Sequence, residues 1–232
     1  MGGFLDKLLL IVGKSKPVDN GAPDVVLTPT VLQPLKPMVV PMVVPPVAQP
    51  AAKPDAKPST PKHPADKPTL DRIAKAHPRV RDELLKMYYE ILGALSGSAI
   101  CRFAYVTRTF AEQAALYAQG RTAPGKIVTN APAGLSIHNY SLAFDIVLLV
   151  DKDGNGTYET ASWDTVTDFD GDGIADWLEI VAIATKYGWE WGGNWSSFKD
   201  LPHFQKTFGH KPSDLLVKYK AGDLDSNGYV NV

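Results

Sequence analysis

The sequence predicts an α+β domain that follows a long proline-rich segment. Of the 19 prolines, 14 fall between Pro17 and Pro68, whereas all five tryptophans lie at Trp163 or later. Beyond residue 70, helical patterns are mixed with short strand-like runs, which is typical of an α+β fold. The 232 residues therefore divide into N-terminal segments and one domain of ordinary size, predicted at residues 70–221.

Two segments precede this domain. Residues 1–13 contain a short apolar stretch, Leu8 to Val12, which is shorter than the apolar core of a convincing signal peptide and than the roughly 20 residues of a membrane span. Because its apolar residues recur at helical spacing, contact of this segment with a membrane surface is kept as the weaker interpretation. Residues 14–69 carry prolines every few positions, which remove amide donors and predict a disordered, extended linker.

The first half of the domain should run helix, strand, helix. Apolar residues recur at helical spacing after Pro78, up to an exit at Gly97. The β-prone run 99–107 then predicts a strand. A second helix follows, because Thr109 and Glu112 have the spacing of a capping box.

The second half should add short strands between two helices. The run 142–150 is almost wholly apolar and predicts a strand that contains one carboxylate, Asp145. Helical spacing predicts a helix over 177–187 that stops at Gly188. The remaining predicted elements are strands at 189–191 and 203–205 and a helix after Ser213.

Composition narrows the classes of partner. A net charge of -1 and a pI near 6.5 give no electrostatic basis for binding nucleic acid. The single cysteine, Cys101, excludes an internal disulfide framework and lies in an apolar run, as a buried thiol does.

Two imidazoles and one carboxylate are the strongest chemical feature of the chain. His138, Asp145 and His203 are the ligand types that a catalytic zinc takes from a protein, with a fourth position open for water. A carboxylate inside an apolar strand is costly unless it is paired or binds a metal, which favours Asp145 as a ligand. Asp200, three residues before His203, could take a proton from that water. The set predicts a metallohydrolase.

A second metal site is predicted between the last two zinc ligands. Residues 168–179 fit a calcium-binding EF-hand loop at every diagnostic position, including the glycine at position six. Isolated acidic turns rarely reproduce the whole pattern. The predicted ligands are Asp168, Asp170, Asp172, the backbone carbonyl of Ile174, Asp176 and Glu179.

Two weaker copies flank this loop. The first begins at Asp151 and has Asp153, Asn155 and Glu159 in place, but Ser162 stands where the bidentate glutamate belongs. A weak calcium site and a plain turn remain equally good interpretations of it. The second copy lies in residues 222–232 and ends before its closing ligand, so it is interpreted as a polar C-terminal tail.

Four motifs together resemble a known family. The run YVTRTFAEQAALYAQG, the segment SIHNYSLAFD, WGGNW and DLPHFQ occur in the order found in the M15 zinc peptidases, near the L-alanyl-D-glutamate peptidases used as phage endolysins. The resemblance spans roughly residues 77–219. It implies the hedgehog and D-alanyl-D-alanine peptidase fold, a small antiparallel sheet flanked by helices around one zinc ion. The implied zinc ligands are His138, Asp145 and His203.

The resemblance also assigns roles outside the ligand set. Asp200 matches the family's catalytic acid or base, and Arg108 matches an arginine near the substrate carbonyl or carboxylate. Ser136 matches the serine that opens the SxH motif and is expected to support the site. One departure is Ser141, where relatives usually have glycine; if φ is positive there, the serine costs about 1 kcal/mol.

The expected function is zinc-dependent hydrolysis of peptidoglycan stem peptides by a monomer. An L-alanyl-D-glutamate endopeptidase is favoured, a D,D- or L,D-carboxypeptidase is the alternative, and calcium in the 168–179 loop is expected to support activity. A non-catalytic, calcium-ordered wall-binding module is the alternative from another class, and Asp200 argues against it because binding needs no such acid. The expected place of action is the bacterial cell wall, reached from the host cytoplasm by holin-type phage release or by unconventional export.

Overall fold

The computed structural model describes residues 63–232, so the predicted apolar segment 1–13 and nearly all of the predicted linker 14–69 lie outside it. Among these residues, no helix is both long and apolar enough to cross a membrane. The helices are α1 (Lys67–Ile73), α2 (Pro78–Ala94), α3 (Phe110–Ala118), α4 (Asp176–Lys186) and α5 (Pro212–Lys220). The strands are β1 (Ala99–Tyr105), β2 (Ala143–Val150), β3 (Thr160–Ser162), β4 (Glu190–Trp191) and β5 (His203–Gln205).

All five strands form one small antiparallel sheet, which confirms the predicted α+β class. Strand β2 is central: β1 pairs with it along one edge, while β3 and β5 share the other edge. Strand β4 then pairs with β5 and completes the order β1-β2-β5-β4. Helical segments flank this sheet, as the resemblance implied.

The main core lies on one face of the sheet. Alternate residues of β2, such as Phe144, point into it, and the ring of Phe144 stacks on Phe204 of β5 with centroids 4.8 Å apart. Helix α2 contributes the apolar stripe that its sequence predicted, and α4 adds Trp177, which is fully buried. The opposite face of β2 carries Asp145, so the polar site lies across the sheet from the core.

The start of the folded domain differs slightly from the prediction. Helix α1 begins at Lys67, whereas the linker was expected to extend to residue 69. Asp66 caps this helix through the Thr69 amide at 3.0 Å and forms an ion pair with Arg102 at 2.7 Å. Pro68 therefore lies in the first turn of a helix, where proline is tolerated, and not in the linker.

The C-terminal residues also differ from the predicted polar tail. Residues 222–232 fold back on the domain, with an isolated bridge between Leu224 and Val230 and with Val230 buried in the main core. The imidazole of His77 lies 2.9 Å from the Val230 carbonyl oxygen. The prediction failed because the two apolar side chains are separated by turn residues and find their partners elsewhere in the chain.

Candidate metal centre and active site

Strand register brings two of the three predicted ligands, Asp145 and His203, together. In the antiparallel pairing of β2 with β5, Asp145 lies directly opposite His203. Side chains at paired positions project from the same face of a sheet, so the carboxylate and the imidazole meet on the face away from the main core. The neighbouring pair, Phe144 with Phe204, points the other way and fixes this register through the core.

The third predicted ligand, His138, lies in a short 3₁₀ helix, Ile137–Tyr140. The helix ends at Ser141, where relatives usually have glycine. Its φ of 59° is left-handed, so the serine carries the expected backbone strain. The Ser141 hydroxyl accepts a hydrogen bond from the Thr107 hydroxyl at 2.9 Å. That bond offsets a strain of about 1 kcal/mol, and a serine is accommodated next to the site.

The three donor atoms form a compact triangle. His203 Nδ1 lies 3.0 Å from Asp145 Oδ1, His138 Nε2 lies 3.1 Å from the same oxygen, and the two nitrogens are 3.2 Å apart. Tetrahedral zinc with bonds of about 2.0–2.1 Å needs donors about 3.3 Å apart. The triangle therefore has the size that zinc requires, and its three members leave one coordination position for another ligand.

The hydrogen bond behind His138 identifies its free nitrogen. His138 Nδ1 donates to the Val106 carbonyl at 2.9 Å, so in the neutral imidazole Nε2 carries a lone pair. That lone pair faces the carboxylate oxygen of Asp145 at 3.1 Å. Two acceptors at this separation repel each other unless a positive charge lies between them, and a metal cation supplies one.

The charges of the triangle respond to one another. Burial alone raises the pKa of Asp145, but the adjacent His138 and His203 outweigh it and hold this pKa well below its usual range. Burial is the largest single effect on His203 and lowers its pKa, but the hydrogen bond and charge of Asp145, with smaller effects of Gln205 and Asp200, together raise this pKa above its usual value. Without metal, the site therefore favours an ionised carboxylate beside a protonated imidazole.

The predicted base, Asp200, enters the site because glycine lets its backbone approach. A Cβ atom on Gly192 would lie 2.5 Å from the Asp200 carbonyl oxygen, closer than side chains tolerate, and the Asp200 amide donates to the Gly192 carbonyl at 3.1 Å. Burial and the charge of Asp145 raise the pKa of Asp200, while His203, His138 and Arg108 oppose the rise. The WGGNW motif is thus tied to the predicted base.

Arg108 is fixed beside the metal triangle. One guanidinium nitrogen lies 3.4 Å from Asp145 Oδ2, and the other donates to Gln113 Oε1 at 2.9 Å. Gln113 is fully buried and its amide nitrogen donates to the Ala131 carbonyl at 2.7 Å. The sequence prediction missed Gln113, although a glutamine among the small apolar residues of α3 was a signal for a buried polar role. Ser136 lies just before the 3₁₀ helix of His138 and is buried.

A second group that the sequence prediction missed lies behind His203. Gln205 is two residues along β5, on the same face, and its Oε1 lies 3.2 Å from His203 Nε2. Glu190 of β4 is the register partner of Gln205. The indole of Trp195 packs against the His203 ring in a tilted arrangement, with centroids 5.3 Å apart. The two-residue period of side chains in strands β4 and β5 could have revealed Gln205 and Glu190.

Comparison with known proteins relates the central part of the domain to a known family. Residues 129–206, which include the metal triangle and Asp200, match a peptidase M15 family described as D-alanyl-D-alanine carboxypeptidase. We call the folded part of the chain around this match the M15 domain, after the family that residues 129–206 resemble. The first 66 described residues, with Arg108, precede this match, so the role of Arg108 rests on its geometry.

Two individual proteins are similar to the M15 domain. The chain is 50% identical over 98 residues to the peptidoglycan L-alanyl-D-glutamate endopeptidase CwlK of Bacillus subtilis (strain 168), over 42% of this chain and 55% of CwlK. The chain thus spans about half the length of that curated relative. The crystal structure of the Serratia marcescens L-Ala D-Glu endopeptidase ChiX aligns with a TM-score of 0.41 and 20% identity, over 63% of this chain and 92% of ChiX.

The predicted calcium loop of the M15 domain brings its carboxylates together in two overlapping sets. Oxygen atoms of Asp168, Asp170 and Asp176 lie within 4.8 Å of one another, and so do those of Asp170, Asp172 and Glu179. Loop amides already hold some of these groups, since Gly173 donates to Asp168 at 2.8 Å. The geometry could hold one cation, and Ile174 lies in sequence within the span of both sets.

Asp176 is the unusual member of this loop. Its side chain is fully buried at the first turn of α4, and one oxygen accepts a hydrogen bond from the Phe169 amide at 2.8 Å. The other oxygen, Oδ2, is buried without a hydrogen-bond partner in the described part of the chain. Burial, with the nearby charges of Asp170 and Asp168, raises the pKa of Asp176 to about 6.

The weaker copy at residues 151–162 forms an exposed turn of related shape. Gly156 and Asn155 donate their amides to Asp151, as glycines of the main loop do to Asp168. Asp153 accepts from Asn155, and Glu159 accepts from the Thr157 hydroxyl. These bonds satisfy the turn internally, so its geometry leaves both interpretations, weak calcium site and plain turn, in place.

Proposed function

We propose that the M15 domain is a zinc-dependent peptidoglycan hydrolase that cleaves the L-alanyl-D-glutamate bond of stem peptides. The observation that carries this proposal is the triangle of His138, Asp145 and His203, whose donor atoms are 3.0–3.2 Å apart. The 50% identity to a protein named as an L-alanyl-D-glutamate endopeptidase supports the choice of bond. The family description, D-alanyl-D-alanine carboxypeptidase, supports a D,D-carboxypeptidase as the second candidate, and an L,D-carboxypeptidase is kept beside it as the sequence-based alternative.

The residues around the triangle supply complementary chemistry. Zinc, when bound by the three ligands, acts as a Lewis acid and makes a water molecule more acidic. Asp200 accepts the proton of the attacking water and returns it to the leaving amine, a role for which a raised carboxyl pKa is suited. With zinc bound nearby, Asp200 would have a lower pKa than in the metal-free site and would be ionised before the reaction.

Arg108 provides the positive group. Its planar guanidinium is permanently charged and is held in place by Asp145 and Gln113. It can stabilise negative charge that develops on the scissile carbonyl oxygen, or hold a substrate carboxylate through paired hydrogen bonds. Ser136 would support the substrate from the segment that leads into His138.

The function is tested by the products of digestion. Purified peptidoglycan is digested with the zinc-loaded protein, with Asp200→Ala and with Asp82→Asn, which replaces an exposed carboxylate on α2 as a control. Mass spectrometry should show L-alanine-terminated glycan and intact peptides that begin with D-glutamate, with the wild type and the control only. Loss of single terminal D-alanines would support the carboxypeptidase, and no product from the wild type would leave the wall-binding module.

Calcium is proposed as a second, structural ion in the 168–179 loop. The buried and unpartnered Asp176 oxygen supports this, because burying such an oxygen is costly and Ca²⁺ takes six to eight oxygen ligands. Helix α4 starts at Asp176 and leads to β4, which pairs with the strand of His203. Calcium would therefore order the segment that leads to the active site. Equal activity and equal melting temperature of the zinc-loaded protein with and without calcium would contradict this.

A further inference from the structure

The carboxylate of Glu190 binds two side chains that surround His203. Its Oε2 accepts a hydrogen bond from the amide nitrogen of Gln205 at 3.0 Å, and its Oε1 accepts one from the indole nitrogen of Trp195. Strand pairing places Glu190 opposite Gln205, so this contact is built into the sheet. Both oxygens of the carboxylate are used by neighbours of one imidazole.

Glu190 determines which way the Gln205 amide points. An ionised carboxylate only accepts hydrogen bonds, so Gln205 must turn its NH₂ group toward Glu190. The amide oxygen of Gln205 then faces His203 Nε2, at 3.2 Å. This oxygen also only accepts, and Nε2 must therefore carry the hydrogen. In a neutral imidazole the remaining nitrogen, Nδ1, is left with the lone pair.

His203 Nδ1 is the atom that faces the metal triangle, 3.0 Å from Asp145 Oδ1. His138 is fixed in the opposite tautomer, because its Nδ1 donates to the Val106 carbonyl and Nε2 faces the triangle. The two imidazoles thus offer different nitrogens, each selected by an acceptor on its far side. For His138 the acceptor is main chain, whereas for His203 it is a side chain that needs Glu190 to orient it.

We propose that Glu190 and Gln205 are positioning residues that select Nδ1 of His203 as a zinc donor, an inference that rests on the proposed zinc function. Trp195, held by the same carboxylate, packs against the His203 ring at an interplanar angle of 49° and restricts its rotation. Residues that orient metal-bound histidines change metal affinity by 10–100-fold when they are replaced. Because Glu190 is exposed, the lower end, about tenfold, is expected.

We call the chain of contacts from Glu190 through Gln205 to His203 the relay. Zinc dissociation constants from chelator competition test it. The variants are Glu190→Gln, Gln205→Leu, the double exchange Glu190→Gln with Gln205→Glu, and the exposed control Asp82→Asn. Each single variant should bind zinc about tenfold more weakly. The exchange places a carboxylate acceptor against His203 and an amide donor behind it, so affinity should return to within about threefold of the wild type. Thermal unfolding shows whether each variant is folded.

The outcomes separate this inference from the proposed function. Nitrogen-15 NMR of the zinc-loaded wild type should show the metal on Nδ1 of His203 and on Nε2 of His138. Zinc affinities within twofold of the wild type in both folded single variants would overturn the relay, and so would metal on Nε2 of His203. A wild type that binds no zinc would instead overturn the proposed function, and the relay with it.

Discussion

Replacement of Asp176 by asparagine should stabilise the calcium-free domain and abolish its response to calcium. The substitution keeps the acceptor for the Phe169 amide and puts an NH₂ group where the unpartnered Oδ2 now lies. Carboxylate oxygens of Asp168, Asp170 and Asp176 lie within 4.8 Å of one another, so the neutral amide also removes repulsion between like charges. The charge that is removed is the one that a bound calcium ion would neutralise.

The size of the effect follows from the pKa of Asp176, which is raised from 3.8 to about 6. Above pH 6 the carboxyl is ionised in both the folded and the unfolded state, and burial makes the folded state less stable by about 3 kcal/mol. This penalty shrinks as pH falls below about 6 and is gone near 3.8, because the folded protein takes up a proton at a higher pH than the unfolded chain does. Loss of a charge at the start of α4 costs up to about 1 kcal/mol. The net gain for Asp176→Asn at pH 7.5 is about 2 kcal/mol, or about 4–8 °C in melting temperature.

Thermal unfolding of metal-free protein at pH 7.5, with and without calcium, measures both effects. Calcium at 100 times its dissociation constant should stabilise the wild type by about 2.7 kcal/mol and leave Asp176→Asn unchanged. The exposed control Asp82→Asn should behave as the wild type in both conditions. The reasoning is refuted if Asp176→Asn melts below the wild type without calcium, or if calcium raises the melting temperature of both proteins equally.

Three further outcomes are expected. Asp200→Asn should lower kcat by about 10²–10⁴-fold with an unchanged zinc dissociation constant, measured by steady-state kinetics and chelator competition; a large loss of zinc would contradict its role as a base. Gln113→Leu should lower kcat without loss of zinc, because Arg108 loses its 2.9 Å partner; equal kinetics would show that this contact is dispensable. The raised pKa of His203 stabilises the metal-free fold below pH 6.5, and this contribution is lost as pH rises through the folded value. Zinc must displace the proton of the His203 imidazole, so calorimetric zinc titrations in buffers of different ionisation enthalpy should detect proton release near neutral pH. An absence of proton release would contradict His203 as a zinc ligand.

Most helices and strands of the fold were predicted from local sequence patterns. The capping box of Thr109 and Glu112 is present at the start of α3, and the apolar run of β2 differs from its predicted range by one residue. These elements are determined by neighbours within a few positions, so periodicity and capping chemistry find them. Strand β3 was missed because its three residues have almost no pattern of their own and depend on pairing with β2.

The candidate site was predicted in its ligand types and not in its supporting contacts. His138, Asp145 and His203 are distinctive as residue types, and the structure brings them together. The partners that orient them come from distant positions: Val106 lies 32 residues from His138, and Gln205 depends on Glu190 across a strand pair. Such contacts follow from strand register and chain folding, which no short motif specifies.

Cleavage of purified peptidoglycan during titration of the metal-free protein with zinc tests the central claim most directly. The rate of product release should rise in proportion to added zinc and stop rising at one zinc ion per protein molecule. The titration of Asp145→Asn should show no such break in slope. Cleavage that is unchanged by zinc, or a break at another stoichiometry, would contradict a single catalytic zinc held by His138, Asp145 and His203.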